Sequence, residues 1–509
     1  SWDLGAAVVV DDDEVWIGSS MGGGEANTFS GGLDNVAVHR RTLTADRIAA
    51  RWRVNEDVPA FPEVALSPVP DGMVLFELVE GIPDTGGWRL APREPSESFT
   101  RDTFALVDLP HRYDDAGLRV DRRLPLVMRA RATVTIPPGP QSLRLRARGE
   151  ARILLDGKEV ATLAGPGQRT DGHEPMFTPE RSGPDGIRFV QPGDREAVVA
   201  LAGDGGRHAV HVEVKVGRRG RRPEIGEFSV SLGPPGAVPT VVGFAPHAAA
   251  VTLTDSGWPI LESRLVTEAA AANTQTRRTA AARQAEAWDR RHAEARRIVA
   301  QEPPVSVPAV PADRPDIAAA TFNEIDRFVN ARLVAAGVTP AAVVDDAAFI
   351  RRLSLDVRGV IPTPDEIRRF LADGPAPAPT NHAANDSAHV VPDSRRRLVE
   401  AFLADPRWAD HWVAFWQDLL AENPNLVNPT LNNTGPFRFF VHESFLDRRP
   451  IDRFVTELIM MEGSRHFGGP GGFGLATEND VPMAAKAHII GRAFLGLELG
   501  CARCHDAQG

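Results

Sequence analysis

Only two cysteines occur in the 509 residues, and they sit in one short run, Cys501-Ala502-Arg503-Cys504-His505. Two thiols at this spacing can form thioether bonds to the vinyl groups of a haem, and the adjacent imidazole then reaches the iron as proximal ligand. The expected cofactor is therefore covalent haem c, attached through Cys501 and Cys504 with His505 on the iron. Three other chemistries use the same residue types. Zinc, the alternative cofactor, would need a fourth ligand; with no further cysteine, His442, His466 and His488 are the candidates. A redox dithiol usually sits at a helix N-terminus, where its pKa is lowered, but this pair follows an apolar helical stretch. A structural disulfide is the third. For haem, Met483, His488 and His442 are the upstream candidates for a second axial ligand. With none of them bound, the iron would be five-coordinate, which favours catalysis or ligand binding over pure electron transfer.

The remaining chemistry-bearing groups have structural readings. Trp408, Trp412 and Trp416 recur every fourth residue, the spacing of an amphipathic helix packing one face into a core. Asp356, Arg358, Asp410, Asp418, Asp452 and Arg453 read as charged residues engaged in helix-to-helix salt bridges. Asp34 is expected to fix a strand end. Gly468 to Gly474 lacks the Lys-Ser/Thr of a phosphate loop and reads as a flexible connector. No metalloprotease HExxH, nucleophile elbow or dinucleotide fingerprint is present.

The elements that must carry these residues divide the chain. The fold class expected is multidomain, with β-sandwich modules in the N-terminal half and a mainly α-helical domain after them. Residues 1–54 read as strands and then a short helix that Thr44 caps. Residues 71–240 read as a second sandwich. In it Leu143, Leu145 and Ala147 alternate with Arg144, Arg146 and Arg148, and Val210 to Val216 alternate with His211, Glu213 and Lys215, the period of a strand with one face on a core. Asp156-Gly157 between two β-like runs predicts a tight hairpin turn. Residues 262–301 contain no Gly or Pro and predict a long polar helix acting as a spacer, ended by the Pro-rich stretch to Pro315. Residues 316–509 read as helical. Thr363-Pro364-Asp365-Glu366 predicts a capping box with Pro at the first helical position, and Pro482 to Leu499 predicts an apolar helix that delivers Cys501 at its end. Residues 373–394 read as a mobile insertion.

Several of these segments resemble known families. The run GGLDNVAVHRRTLTADRI, from Gly31, resembles the closing segment of laminin-G-like, concanavalin-type lectin domains. The run LRLRARGEARILLDGKEV, from Leu143, resembles protective-antigen-type sandwiches found beside carbohydrate-active modules. Four segments occur in order: FIRRLSLDVRGVIPTPDEIRRFLAD, RRRLVEAFLADPRWADHWVAFWQDLL, RPIDRFVTELI and GRAFLGLELGCARCHD. Together they resemble the planctomycete cytochrome-associated domain of unknown function, over about residues 320–509. That resemblance implies a very large secreted protein in which this domain stands beside laminin-G-like modules. The stretch NPNLVNPTLNNTGPFRFFVHESF departs from the family's pattern, as does the long 373–394 insertion.

Bulk properties limit the partners. A net charge of −11 disfavours nucleic acid and anionic membranes, which reward positive charge. No apolar run is long enough to span a bilayer. Ser1 opens in what reads as mid-strand, and the chain stops four residues past His505, so it reads as a fragment. Haem attachment of this kind requires an extracytoplasmic compartment. The function expected is a secreted c-type haem protein in electron transfer or oxidative chemistry linked to polysaccharide use, with an unidentified redox partner. The alternative is a cell-surface scaffold whose β modules bind glycan or protein and whose Cys pair is structural or holds zinc.

Overall fold

The computed structural model describes residues 44–46, 67–83, 88, 93–165, 186–217, 224–244, 250–372, 393–420, 437–464, 467–477 and 482–499. The laminin-G-like segment, apart from Thr44 to Asp46, lies outside these residues, as does nearly all of the 373–394 insertion.

The architecture is antiparallel β-sheet followed by helices. The strands are β1 (Val74–Glu80), β2 (Glu97–Arg101), β3 (Ala105–Leu106), β4 (Arg112–Tyr113), β5 (Arg119–Val120), β6 (Leu126–Thr135) and β7 (Gly139–Ala147). They continue as β8 (Ala151–Leu155), β9 (Lys158–Leu163), β10 (Arg195–Gly203), β11 (Arg207–Val216), β12 (Phe228–Gly233), β13 (Thr240–Val241) and β14 (Val251–Thr252). One sheet has the order β2-β1-β6-β11-β8-β9, and the other runs β10-β7-β12-β13-β14 with β3 also on β12. The expected alternation is realised: Leu143, Leu145, Ala147, Val210, Val212, Val214 and Val216 are all buried in the space between the sheets. Asp156 and Gly157 both take positive φ, as a type I′ hairpin turn requires, and they join β8 to β9.

The outer sheet faces differ from the sequence expectation of a solvated polar side. Arg144, Arg146, Glu213 and Lys215 are buried as well. They are tolerated because each is paired across strands. Arg146 donates to Glu196 at 2.7 Å, Arg129 and Arg152 both donate to Glu213, and Lys215 donates to Glu150 at 3.0 Å. Trp88 lies against the cations of Arg152 and Lys215, at 4.9 and 4.6 Å from the ring centroid.

The helices begin with α1 (Trp258–Ala281), which runs through a 3₁₀ turn (Ala282–Gln284) into α2 (Ala285–Val299). Then come α3 (Pro315–Ala319), α4 (Glu324–Ala335), α5 (Asp346–Arg358), α6 (Pro364–Ala372), α7 (Asp393–Ala404), α8 (Pro406–Leu420), α9 (Arg438–Leu446), α10 (Ile451–Met460) and α11 (Pro482–Ile490). Trp258, Leu261 and Leu265 bury one side of α1 against Ala105, Val241 and Leu253 of the sandwich. The predicted capping box forms: the Thr363 amide donates to Glu366 Oε2 at 2.8 Å, and the Glu366 amide donates to Thr363 Oγ1 at 3.2 Å. Arg358, fully buried, joins that cap to α8 through Glu366 at 2.7 Å and Asp405 at 3.2 Å.

The sandwich and the helices meet at the β4–β5 hairpin. Asp114 shapes its turn, its Oδ1 accepting from the amides of Ala116 and Leu118 at 2.9 Å each. Gly117 has φ +70°, and a Cβ there would sit 2.7 Å from the Cβ of Ala281, so only glycine lets the hairpin lie on α1. Leu118, at the tip, is buried among Val413, Phe440, Phe454 and Leu458 of the helical core. Behind it Glu443 of α9 accepts from Tyr113 Oη at 2.9 Å and Arg119 at 2.7 Å, while Arg277 of α1 binds Asp447 through two nitrogens. The run from Gly468, expected as a flexible connector, is instead packed: Pro470–Thr477 forms a 3₁₀ helix with Phe473 fully buried. Its glycines allow close approach, since a Cβ on Gly469 would meet Ser464 at 2.7 Å.

Candidate functional site

Cys501, Cys504 and His505 lie outside the described residues. The segment that leads to them is described to Leu499 and departs from the single helix expected over Pro482 to Leu499. α11 stops at Ile490, Gly491–Leu495 is a π-turn, and Gly496 ends it in the left-handed region at φ 66°. The reason is local: glycine takes this conformation at no steric cost, and a helix ends where its chain does so. Beyond the turn the chain crosses back over the helix. The Leu497 amide donates to the Gly491 carbonyl at 2.9 Å, and a Cβ on Gly491 would lie 3.1 Å from Leu499 Cδ1.

The upstream histidines have different surroundings. His442 Nε2 pairs with Asp410 Oδ1 at 3.2 Å, and burial lowers its pKa from the ordinary imidazole value. His488, near the end of α11, has its Nδ1 buried with no hydrogen-bond partner. His466 lies outside the described residues, and Met483 falls in the first turn of α11. Among the described residues, no group of three or more His, Cys, Asp and Glu is arranged to hold a metal ion. Of the tryptophan stripe of α8, Trp416 packs on the helical core, while Trp412 is half-buried against His411 and Phe415 of its own helix. Trp408 packs edge-on to Phe445, and Trp416 lies against Phe454 and stacks on Phe494 of the π-turn at 6.1 Å. Some of the charged residues form bridges between elements, as expected: Asp452 takes His292 of α2 and Arg358 takes Glu366, whereas Arg453 takes Glu457 of its own helix and the Ala116 carbonyl.

A second location came with the fold. An open cleft of about 490 Å³ lies between the two sheets. The end of β6, from Thr133 to Thr135, supplies one wall, and Thr240 with Phe244 the other. Asp71 and Arg207 form an exposed ion pair at its rim. The arrangement offers hydroxyls, one carboxylate, one guanidinium and an aromatic ring to solvent. Sequence reasoning missed it because its walls come from residues more than a hundred positions apart. The Thr-Val-Thr alternation ending β6 gives no local signal of it, because Val134 faces the core between the sheets and the two threonines the opposite side.

Residues 324–508 match the PSCyt2 family, described as a protein of unknown function, DUF1549. No curated protein matches the sequence. Among solved structures, the chain is similar to the PA14 sugar-binding domain from an RTX adhesin, at 14% identity and TM-score 0.23, covering 35% of this chain and 100% of that one. It is similar to the PA14 domain of the MpAFP antifreeze protein at 11% identity and TM-score 0.22, covering 38% and 94%. A β-glucosidase from Kluyveromyces marxianus is matched at 13% identity and TM-score 0.20, covering 32% of this chain but only 16% of that chain's length. TM-scores this low bear neither on fold nor on ligand. Among the described residues, no helix is long and apolar enough to cross a membrane.

Proposed function

We propose that this chain is a glycan-binding scaffold, its sandwich holding a saccharide in the cleft between the sheets. The cleft carries the reading. The Thr240 hydroxyl, a carboxylate and a guanidinium match the alternating donors and acceptors of sugar hydroxyls, and Phe244 gives an apolar wall for a pyranose face. Binding at such an open site is weak for one sugar unit and is strengthened by repetition along a polymer. A glycan array followed by titration calorimetry tests it, with Thr240→Trp filling the cleft and Arg207→Ala removing the rim cation. Saccharide binding that both variants weaken at least tenfold supports the proposal. Binding that neither variant changes would place the site elsewhere.

A second reading concerns the C-terminal end and is favoured by the Cys501-Ala502-Arg503-Cys504-His505 run itself. Cys501 and Cys504 would hold haem c by thioether bonds, and His505 would take the iron. Bound there, haem would supply one-electron chemistry, exchanged with a redox partner in an extracytoplasmic compartment. The residues present suit the group in type and order, and the unclaimed, buried nitrogen of His488 is the described feature that fits it. Zinc is the competing metal. A pyridine haemochrome spectrum with intact mass, on the full chain made with c-type maturation machinery, separates these. One covalently added haem, lost in Cys501→Ala/Cys504→Ala, is the haem result. A colourless protein at apo mass refutes it.

A further inference from the structure

We propose that His208 works as a proton-operated brace at one end of the sandwich. As an imidazolium it ties the β8–β9 turn to the β10–β11 turn, and on losing its proton it gives up that tie. The brace is independent of both the glycan and the haem readings.

His208 is the second residue of β11 and stands between the two turns. Asp156 comes from the β8–β9 turn, and Asp204 from the chain between β10 and β11. His208 Nδ1 lies 2.7 Å from Asp156 Oδ2, and Nε2 lies 3.0 Å from Asp204 Oδ1. A neutral imidazole donates through one nitrogen only. With a carboxylate oxygen against each nitrogen, both contacts are hydrogen bonds only when the ring holds two protons and a positive charge. The contacts join different parts of the fold. The β8–β9 hairpin is the outermost of one sheet, and between β10 and β11 the chain crosses into that sheet from the other.

Each carboxylate is also held within its own surroundings. Asp156 Oδ1 accepts from the Ala209 amide at 2.8 Å, and Asp204 Oδ1 accepts from the Gly206 amide at 2.7 Å. A Cβ on Gly206 would lie 2.8 Å from Asp204 Oδ1, so glycine is what lets that carboxylate fold over the turn. What the proton adds is therefore the link between the turns. Without it, one ring nitrogen sets a lone pair against a carboxylate, and the two anions lose the cation between them. The shorter contact, to Asp156, is the one a neutral ring keeps, so Asp204 is released.

The charged groups that act on the ring are these two carboxylates. Opposite it on β6 stands the apolar Val134, and its chain neighbour Arg207 is engaged with Asp71. Hydrogen bonds to Asp156 and then Asp204 raise the His208 pKa above its ordinary 6.5, and the same bonds lower both carboxyls below their ordinary 3.8. A raised histidine contributes fully below pH 6.5 and is lost as pH rises through its raised value. The lowered carboxylates contribute fully above 3.8 and are lost as pH falls through their lowered values. The brace is thus closed between pH 3.8 and 6.5 and opens on either side of wider limits. Asp156 and Asp204 are more than half exposed, so solvent supplies and removes the proton directly.

Nitrogen NMR of the full chain with labelled histidine, followed from about pH 5 to 9, tests the brace. Loss of a signal in His208→Gln assigns it, and the shift caused by Asp204→Asn assigns it where the glutamine variant does not fold. The expected result is a ring protonated at both nitrogens at about pH 6, with a midpoint above 6.5. Asp204→Asn removes one anion, leaves the Asp156 contact and should move that midpoint down toward 6.5. Hydrogen exchange reads the link itself. The Gly206 amide shares its acceptor oxygen with the ring, so its protection should fall across the midpoint in wild type and stay level in His208→Gln, after correction for base catalysis. A wild-type midpoint at or below 6.5 overturns the brace, as does a midpoint that Asp204→Asn leaves unmoved. Gly206 protection that does not change across the midpoint overturns it as well.

Discussion

Tyr113 is the only tyrosine in the chain, so tyrosinate absorption reports on one site, the junction between the β4–β5 hairpin and α9. Burial, and then the negative charge of Glu443, push its pKa up to about 12, against an ordinary value of 10.0. Arg119 and Arg277 pull the other way without reversing this. A shift of that size corresponds to about 2.7 kcal/mol, at 1.36 kcal/mol per unit. Because the folded pKa is raised, this stabilisation is complete below pH 10 and is lost as pH climbs through 10 to 12. The assay is an alkaline titration of tyrosinate absorbance with far-UV circular dichroism on the same samples. The expected result is that ionisation is held back until near pH 12, or appears only together with alkaline unfolding. Glu443→Gln keeps an acceptor for the hydroxyl but removes the charge, and should bring the midpoint down toward 10. A midpoint of 10 in protein that is still folded would refute the described junction. So would a Glu443→Gln variant with an unmoved midpoint.

Two other sites give direct tests. Arg358 is buried and holds Glu366 and Asp405 together; Arg358→Met leaves both carboxylates to the partly exposed Arg407 alone and should cost roughly 1–3 kcal/mol in urea unfolding. The Arg358 hydrogen bond is the main cause of a Glu366 pKa held well below its ordinary 4.5, so the wild type should lose stability as pH falls below that value, and the variant should lose less there. Gly359 ends α5 at φ +69°, and a Cβ on it would lie 2.2 Å from His411 Nδ1; Gly359→Ala should therefore destabilise by roughly 2–5 kcal/mol, read as a fall in Tm.

Much of the sandwich was legible because a strand with one face on a core writes its period into the sequence. Leu143 to Arg148 and Val210 to Val216 did so, and Asp156-Gly157 marked its own turn. The capping box at Thr363 was legible for the same reason: the interaction is local. What could not be read was set by long-range pairing. Arg144 and Lys215 look like solvent-facing residues until Glu196 and Glu150 are brought beside them. The run from Gly468 has the composition of a loop, yet its lack of side chains is what lets it pack against Ser464 and Phe439. The apolar stretch after Pro482 carries a helical pattern through Gly496, and one left-handed residue there redirects the chain. For the candidate sites, the Cys-His run was visible as five consecutive letters. The sandwich cleft was not visible at all, since no short window contains both of its walls.

The hairpin tip has a consequence for what counts as one piece of this protein. Leu118 belongs by sequence to the sandwich and by packing to the helices. The stretch that matches the PSCyt2 model, residues 324–508, therefore does not contain all of its own interior. Cut out at those bounds, it would carry a leucine-sized hole, a defect that typically costs 2–5 kcal/mol, and an unanswered Glu443 beside it. The smallest self-sufficient unit then starts upstream of β1. Exchanging the sandwich for another would require the replacement to bring a finger of the same length and a leucine at its end.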